Sequence, residues 1–185
     1  MHDILKNQLG YSDYEIKKIR YILLCIFSET SKIIIIGLLF AWAGFFLEFV
    51  EITLLFFVLR GYGGGLHFNH FMSCFIFSLA AFFCILLLNQ AFPFHFFILE
   101  EAILFVCLIV IYCLSPITSA FRPEPDSLVI KQSKRINACF ILLYALLVSI
   151  VPYHHFISLG IWTIIIHTLK LAIAAILKGG HTDEA

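Results

Sequence analysis

Cys74 stands one helical turn after His70 and two after His67, behind a glycine cluster, in the stretch RGYGGGLHFNHFMSC at residues 60–74. A cysteine thiol is mostly protonated at neutral pH and attacks carbonyls only as the thiolate, so Cys74 needs a base. Either histidine could serve. On an unbroken helix His70 faces Cys74 across one turn, while His67 lies two turns and about 10 Å away. Spacing alone therefore favours His70. His67 takes the role where residues 67–70 fold back as a turn and a helix starts near Asn69 or Ser73. Cys74 then sits near a helix N-terminus, where backbone dipoles favour negative charge. The same residues also read as H-x2-H-x3-C, three of the four ligands a zinc ion needs. Gly63, Gly64 and Gly65 each cost about 1 kcal/mol in a helix, so residues 61–66 are expected to be a loop whose backbone approaches something closely.

The elements that hold this stretch are set by the solvent. With 62% hydrophobic and 13% charged residues, the chain has too little polar surface to cover itself in water. In hydrocarbon the backbone must satisfy its own hydrogen bonds, which leaves helices or a closed barrel. The apolar runs are continuous, without the alternation of barrel strands. Residues 2–20 mix Ile4, Leu5, Leu9, Tyr14 and Ile16 with Lys6, Lys17, Lys18 and Arg20, the pattern of a helix lying on a membrane surface, and residues 1–30 are read as an amphipathic N-terminal segment. A break is expected at residues 28–32, then an apolar run over 33–47. A segment over 48–59 follows, about 18 Å long as a helix and too short for a full crossing. Clearer spans lie near 71–90, 96–114, 136–151 and 156–177. The fold expected is all-α and polytopic, in a single membrane-embedded domain over 1–185. It has about four full transmembrane helices, two short or re-entrant ones and the N-terminal amphipathic helix.

Basic and acidic residues balance at 12 each, which argues against nucleic acid as a partner. Counting crossings from a cytoplasmic N-terminus puts both termini inside. Every Lys and Arg then falls on or near the cytoplasmic side, as the positive-inside rule requires. Residues 115–135, with three prolines and Arg122, Lys131, Lys134 and Arg135, read as a water-exposed cytoplasmic loop. Glu48 and Glu51 fall towards the outer side, either as polar contacts within the bundle or as a substrate-facing pair. The six cysteines show no CxxC spacing, so neither a disulfide framework nor a four-thiolate zinc site is expected. The N-terminus lacks the pattern of a cleaved signal peptide. No internal repeat points to an inverted-repeat transporter, although a small transporter or channel stands as a rival reading, alongside a metal-binding membrane protein.

Arg60, a glycine-preceded histidine seven residues on (His67) and a cysteine seven further (Cys74) resemble the accessory gene regulator B (AgrB) endopeptidase family. The likeness covers nearly the whole chain, including its length, its amphipathic start and the basic stretch from Ser115-Pro116 to Arg135. Leu66 stands where the family often has tyrosine. The resemblance implies a cysteine endopeptidase of the bacterial cell membrane, with His67 as base and Cys74 as nucleophile, and no cofactor. Its partner would be an AgrD-like precursor peptide of a quorum-sensing system. Cleavage would release the precursor's C-terminal tail through an acyl-enzyme thioester and promote cyclisation to a thiolactone or lactone. In that setting Arg60 would grip a substrate carboxylate, and N–H groups of Gly63, Gly64 and Gly65 are candidate oxyanion donors. Lys131, Lys134 and Arg135 either mark the cytoplasmic side or contact an acidic tail. So small a chain, with two short segments, is expected to pair as a homodimer among the lipids.

Overall fold

The computed structural model describes residues 13–64, 71–94, 97–117, 126–151 and 154–179. Six helices account for nearly all of them: α1 (Asp13–Trp42), α2 (Phe46–Gly63), α3 (Phe71–Ala91), α4 (Phe97–Leu114), α5 (Ser127–Ile150) and α6 (His155–Gly179). The chain divides into two compact units, residues 1–44 and 45–185.

The first unit holds α1, which runs through the expected break. Ser31 Oγ donates to the Ser28 carbonyl at 3.0 Å, and Lys32 pairs with Glu29 one turn earlier at 2.7 Å. Polar residues at 28–32 thus satisfy one another along a helix and do not interrupt it. The helix stops at Trp42, short of the expected end at residue 47. The Gly44 N–H donates to the Ala41 carbonyl at 3.2 Å, with Gly44 at φ +82°, the left-handed cap that glycine adopts without steric cost. Residues 1–12, most of the expected amphipathic helix, lie outside the described residues.

In the second unit α6 is the central element. It packs against α2, α3 and α4, while α5 packs against α4 and α2. Leu55, Leu59, Leu104, Ile111, Ile141, Ile161, Ile164 and Leu171 form its core. Prolines set several boundaries: Pro93 follows α3 and Pro116 follows α4, each lacking the N–H that continuation needs. Among the described residues three helices are long and apolar enough to cross a membrane, over Phe71–Ala91, Ser127–Ile150 and His155–Leu177.

Two expectations are corrected here. The short segment over 48–59 is an 18-residue helix, about 27 Å long, because it starts at Phe46 and runs on from Arg60 through Gly63. The basic stretch is not loop throughout, since α5 starts at Ser127 and carries Lys131, Lys134 and Arg135 in its first turns. Charge selects water for these residues, but it does not forbid helix there. The buried stripe Ser133, Asn137, Ile141, Tyr144 and Val148 has helical spacing and begins among the basic residues.

Tyr144 reaches from α5 to α6. Its phenol donates to the Ile157 carbonyl at 2.9 Å and lies where a Gly160 side chain would be. A methyl group at residue 160 must push the phenol off this bond. Gly160→Ala is expected to destabilise the fold by about 1–3 kcal/mol, read as a lowered thermal transition of the detergent-solubilised protein. An unchanged transition would show that the ring moves freely.

Candidate active site

Cys74 lies in the first turns of α3, half-buried, at the helix end where unpaired backbone N–H groups favour an anion. His67, His70 and Gly65 lie outside the described residues. What stands around this end of the bundle comes from four other stretches of chain.

The first is the end of α2. Arg60 occupies its last turn. The Gly64 N–H donates to the Arg60 carbonyl at 3.1 Å, so an oxyanion could use that N–H only if the bond broke. Gly64 is at φ +74°. The second is the segment after α4, where the Ile117 N–H donates to the Gly63 carbonyl at 3.1 Å and Gly64 and Ile117 form a parallel bridge. A Cβ on Gly64 would overlap the Ile117 carbonyl. Glycine is therefore required at 64 by both conformation and space. The sequence expectation of a close approach holds there, while its expectation of loop fails at Gly61 to Gly63, which finish the helix.

The third and fourth stretches are α5 and α6. Asn137 is fully buried and donates from Nδ2 to Ser115 Oγ at 3.2 Å. His167 is 3% exposed. A Cβ placed on Gly63 would lie 3.2 Å from both Asn137 Nδ2 and His167 Nε2, so two polar side chains from different helices converge on one glycine. Among the described residues, Asn137 Oδ1 and His167 Nε2 have no hydrogen-bond partner. One turn beyond His167, the Lys170 ammonium lies over the rings of Phe56 at 4.5 Å and Phe77 at 5.2 Å, and Phe77 is one turn from Cys74 on α3. Arg60 stands one turn before Gly63 on α2, and Lys170 one turn beyond His167 on α6. Arg60, Gly63, Gly64, His167 and Lys170 are thus gathered at the Cys74 end of the bundle.

Lys131 and Arg135 are exposed, and Lys134 is half-buried with its ammonium 5.5 Å from the Tyr112 ring centre. They share α5 with Asn137. The glutamates are elsewhere. Glu48 Oε1 lies 3.4 Å from His155 Nε2, and His155 Nδ1 is 3.2 Å from Asn89 Nδ2. Asn89 is about 22 Å along α3 from Cys74, so Glu48 is a polar contact inside the bundle at its other end. A groove of about 550 Å³ between α4 and α6, lined by Val106, Val110, Ile165 and Leu169 among others, carries no charged side chain.

Asn137, His167 and Lys170 were not singled out from sequence as site residues. A signal for them existed: polar residues set into apolar runs are costly in lipid, and mark bundle-facing or functional positions. It did not say which of them converge.

No curated protein and no solved structure gives a significant match to the chain. The family model described as Accessory gene regulator B matches residues 1–171. With nearly the whole sequence matched, and the arginine, glycine and cysteine positions gathered at one end of a helical membrane bundle, the chain belongs to the accessory gene regulator B family, which serves quorum sensing.

Proposed function

We propose that the protein is a membrane cysteine endopeptidase that processes an AgrD-like precursor peptide. His67 takes the proton of Cys74, and the thiolate attacks the carbonyl preceding the precursor's C-terminal tail. Collapse of the tetrahedral intermediate breaks the peptide bond. The amine of the tail leaves with the proton that His67 returns, and the acyl group stays on Cys74 as a thioester. Thioesters retain activation, so a cysteine thiol upstream in the bound peptide can displace the Cys74 thiolate and close a thiolactone. A serine hydroxyl closes a lactone.

The observation that carries this reading is the placement of Cys74 at the start of α3, at the same end of the bundle as Arg60 and the Gly63–Gly64 turn. Arg60 is assigned to a substrate carboxylate. With the Gly64 N–H engaged, the oxyanion donor is assigned to Gly65, while Gly63 and Gly64 allow close approach. The site faces the cytoplasm of a bacterial cell, as do both termini, and the helices of the second unit cross or enter the bilayer around it. The working unit is a homodimer. Liposomes holding the purified protein should release the tail from a synthetic precursor and yield the cyclic product. Iodoacetamide should stop this and a chelator should not. The reverse pattern would favour the zinc reading, and translocation without cleavage would favour a transporter.

Lys131, Lys134 and Arg135 are assigned to the acidic tail. Replacing all three by alanine is expected to raise KM about tenfold at low salt, less at high salt, and to leave kcat within about twofold. An unchanged KM at low salt would reduce them to topology signals. For orientation, a cysteine placed at Ser127 should be labelled from the cytoplasmic side and one at His154 from outside. External labelling at residue 127 would invert the arrangement.

A further inference from the structure

We propose that Asn137 and His167 are positioning residues of the thiol site, forming a polar seat that fixes where α2 ends and hence the point from which the chain continues to His67. This rests on the peptidase reading above. His67 follows Gly64 by three residues, so the placement of Gly63 and Gly64 bounds where the base can be. Three attachments hold that point: the Gly64 N–H to the Arg60 carbonyl, the Ile117 N–H to the Gly63 carbonyl, and the contact of Gly63 with Asn137 and His167.

The seat is polar, and that demands a reason. Asn137 is 0% and His167 3% exposed, and each keeps an atom without a hydrogen-bond partner among the described residues. Burying such groups in a lipid-solvated bundle costs more than burying leucine or valine of similar size. Packing alone would therefore not select them. What they face is the bare backbone of Gly63, where Asn137 Nδ2 and His167 Nε2 each come within 3.2 Å of the place a side chain would take. The Asn137 amide is itself oriented, because Nδ2 donates to Ser115 Oγ in the segment that also clasps Gly63. Asn137 lies less than two turns beyond Lys131, Lys134 and Arg135 on α5. The helix assigned to the precursor's tail is thus the helix that touches the glycine turn.

The test uses the full-length protein in nanodiscs, with tail release for kcat and KM and the pH profile of Cys74 alkylation read by peptide mass spectrometry. Asn137→Ala and His167→Ala should lower kcat about tenfold to a hundredfold, as small misplacements of catalytic groups do, with KM within about threefold. Their alkylation profiles should move towards that of His67→Ala. His167→Gln, which can return a nitrogen near Nε2, should recover at least a third of the lost activity. Gly63→Ala presses a methyl group on the seat from the other side and should give the same kcat loss and profile change, so the proposal stays testable if an alanine variant fails to fold. Wild-type kcat per folded enzyme and a wild-type alkylation profile in these variants would overturn it. If Cys74→Ala or His67→Ala still cleaves, the peptidase reading falls. If those are inactive while the Asn137, His167 and Gly63 variants behave as wild type, only the seat falls.

Discussion

Precursor cleavage should disappear when either Cys74 or His67 is replaced by alanine, with tail release falling by about 10⁴-fold or more at matched membrane expression. Nucleophile and base act as one unit, so the double variant should be little worse than either single one. Cys74→Ser should be nearly inactive, because a serine hydroxyl is far harder to deprotonate than a thiol. His70→Ala should retain most activity, and so should Cys84→Ala, whose side chain is exposed on α3 well away from the turn at Gly64. The spacing argument that favours His70 makes this an exacting comparison. If His70→Ala is inactive and His67→Ala active, residues 67–74 act as one continuous helix and the base is His70.

The second large effect separates two glycines of one motif. Gly64→Ala places a methyl group on the Ile117 carbonyl at a backbone conformation that alanine rarely adopts. The clasp between the end of α2 and the segment after α4 must open. Cleavage should drop about a hundredfold, and stability should fall by about 1–3 kcal/mol. Gly61 is helical and exposed, with nothing within 4 Å of a Cβ placed there. Gly61→Ala should leave cleavage near wild type and stabilise α2 by up to about 1 kcal/mol. Tail release and thermal unfolding of both variants decide the matter: equal losses would mean the motif works through general flexibility and not through one tight turn.

Much of the architecture was legible because lipid leaves few options. The runs near 71–90, 96–114 and 156–177 needed only hydropathy and a following proline or polar break to be placed within a few residues of α3, α4 and α6. Errors came where charge was taken as a sign of irregular backbone. Residues 28–32 and the basic start of α5 are polar and helical, since i to i+3 pairs such as Glu29 with Lys32 satisfy charge along a helix as well as a loop does. The glycines misled in the same way: Gly61 and Gly63 fit within the end of a helix, and among the described glycines of the motif Gly64 is the one that demands a special conformation. In the candidate site, Arg60 and Cys74 could be found from spacing along the chain. Asn137 and His167 could not, because they meet Gly63 only through the packing of α5 and α6 against α2, and no periodicity within one helix reports on such a meeting.

The account turns on a covalent intermediate, and that intermediate can be weighed. Purified enzyme mixed briefly with a precursor whose upstream cysteine or serine is replaced by alanine cannot close the ring, so the acyl-enzyme should accumulate. Intact-mass analysis should then show the enzyme heavier by the mass of the precursor without its tail. The adduct should map to Cys74, be released by neutral hydroxylamine as thioesters are, and be absent from Cys74→Ala. Tail release at the normal rate with no hydroxylamine-sensitive adduct, or an adduct that persists in Cys74→Ala, would contradict the assignment of Cys74 as the nucleophile.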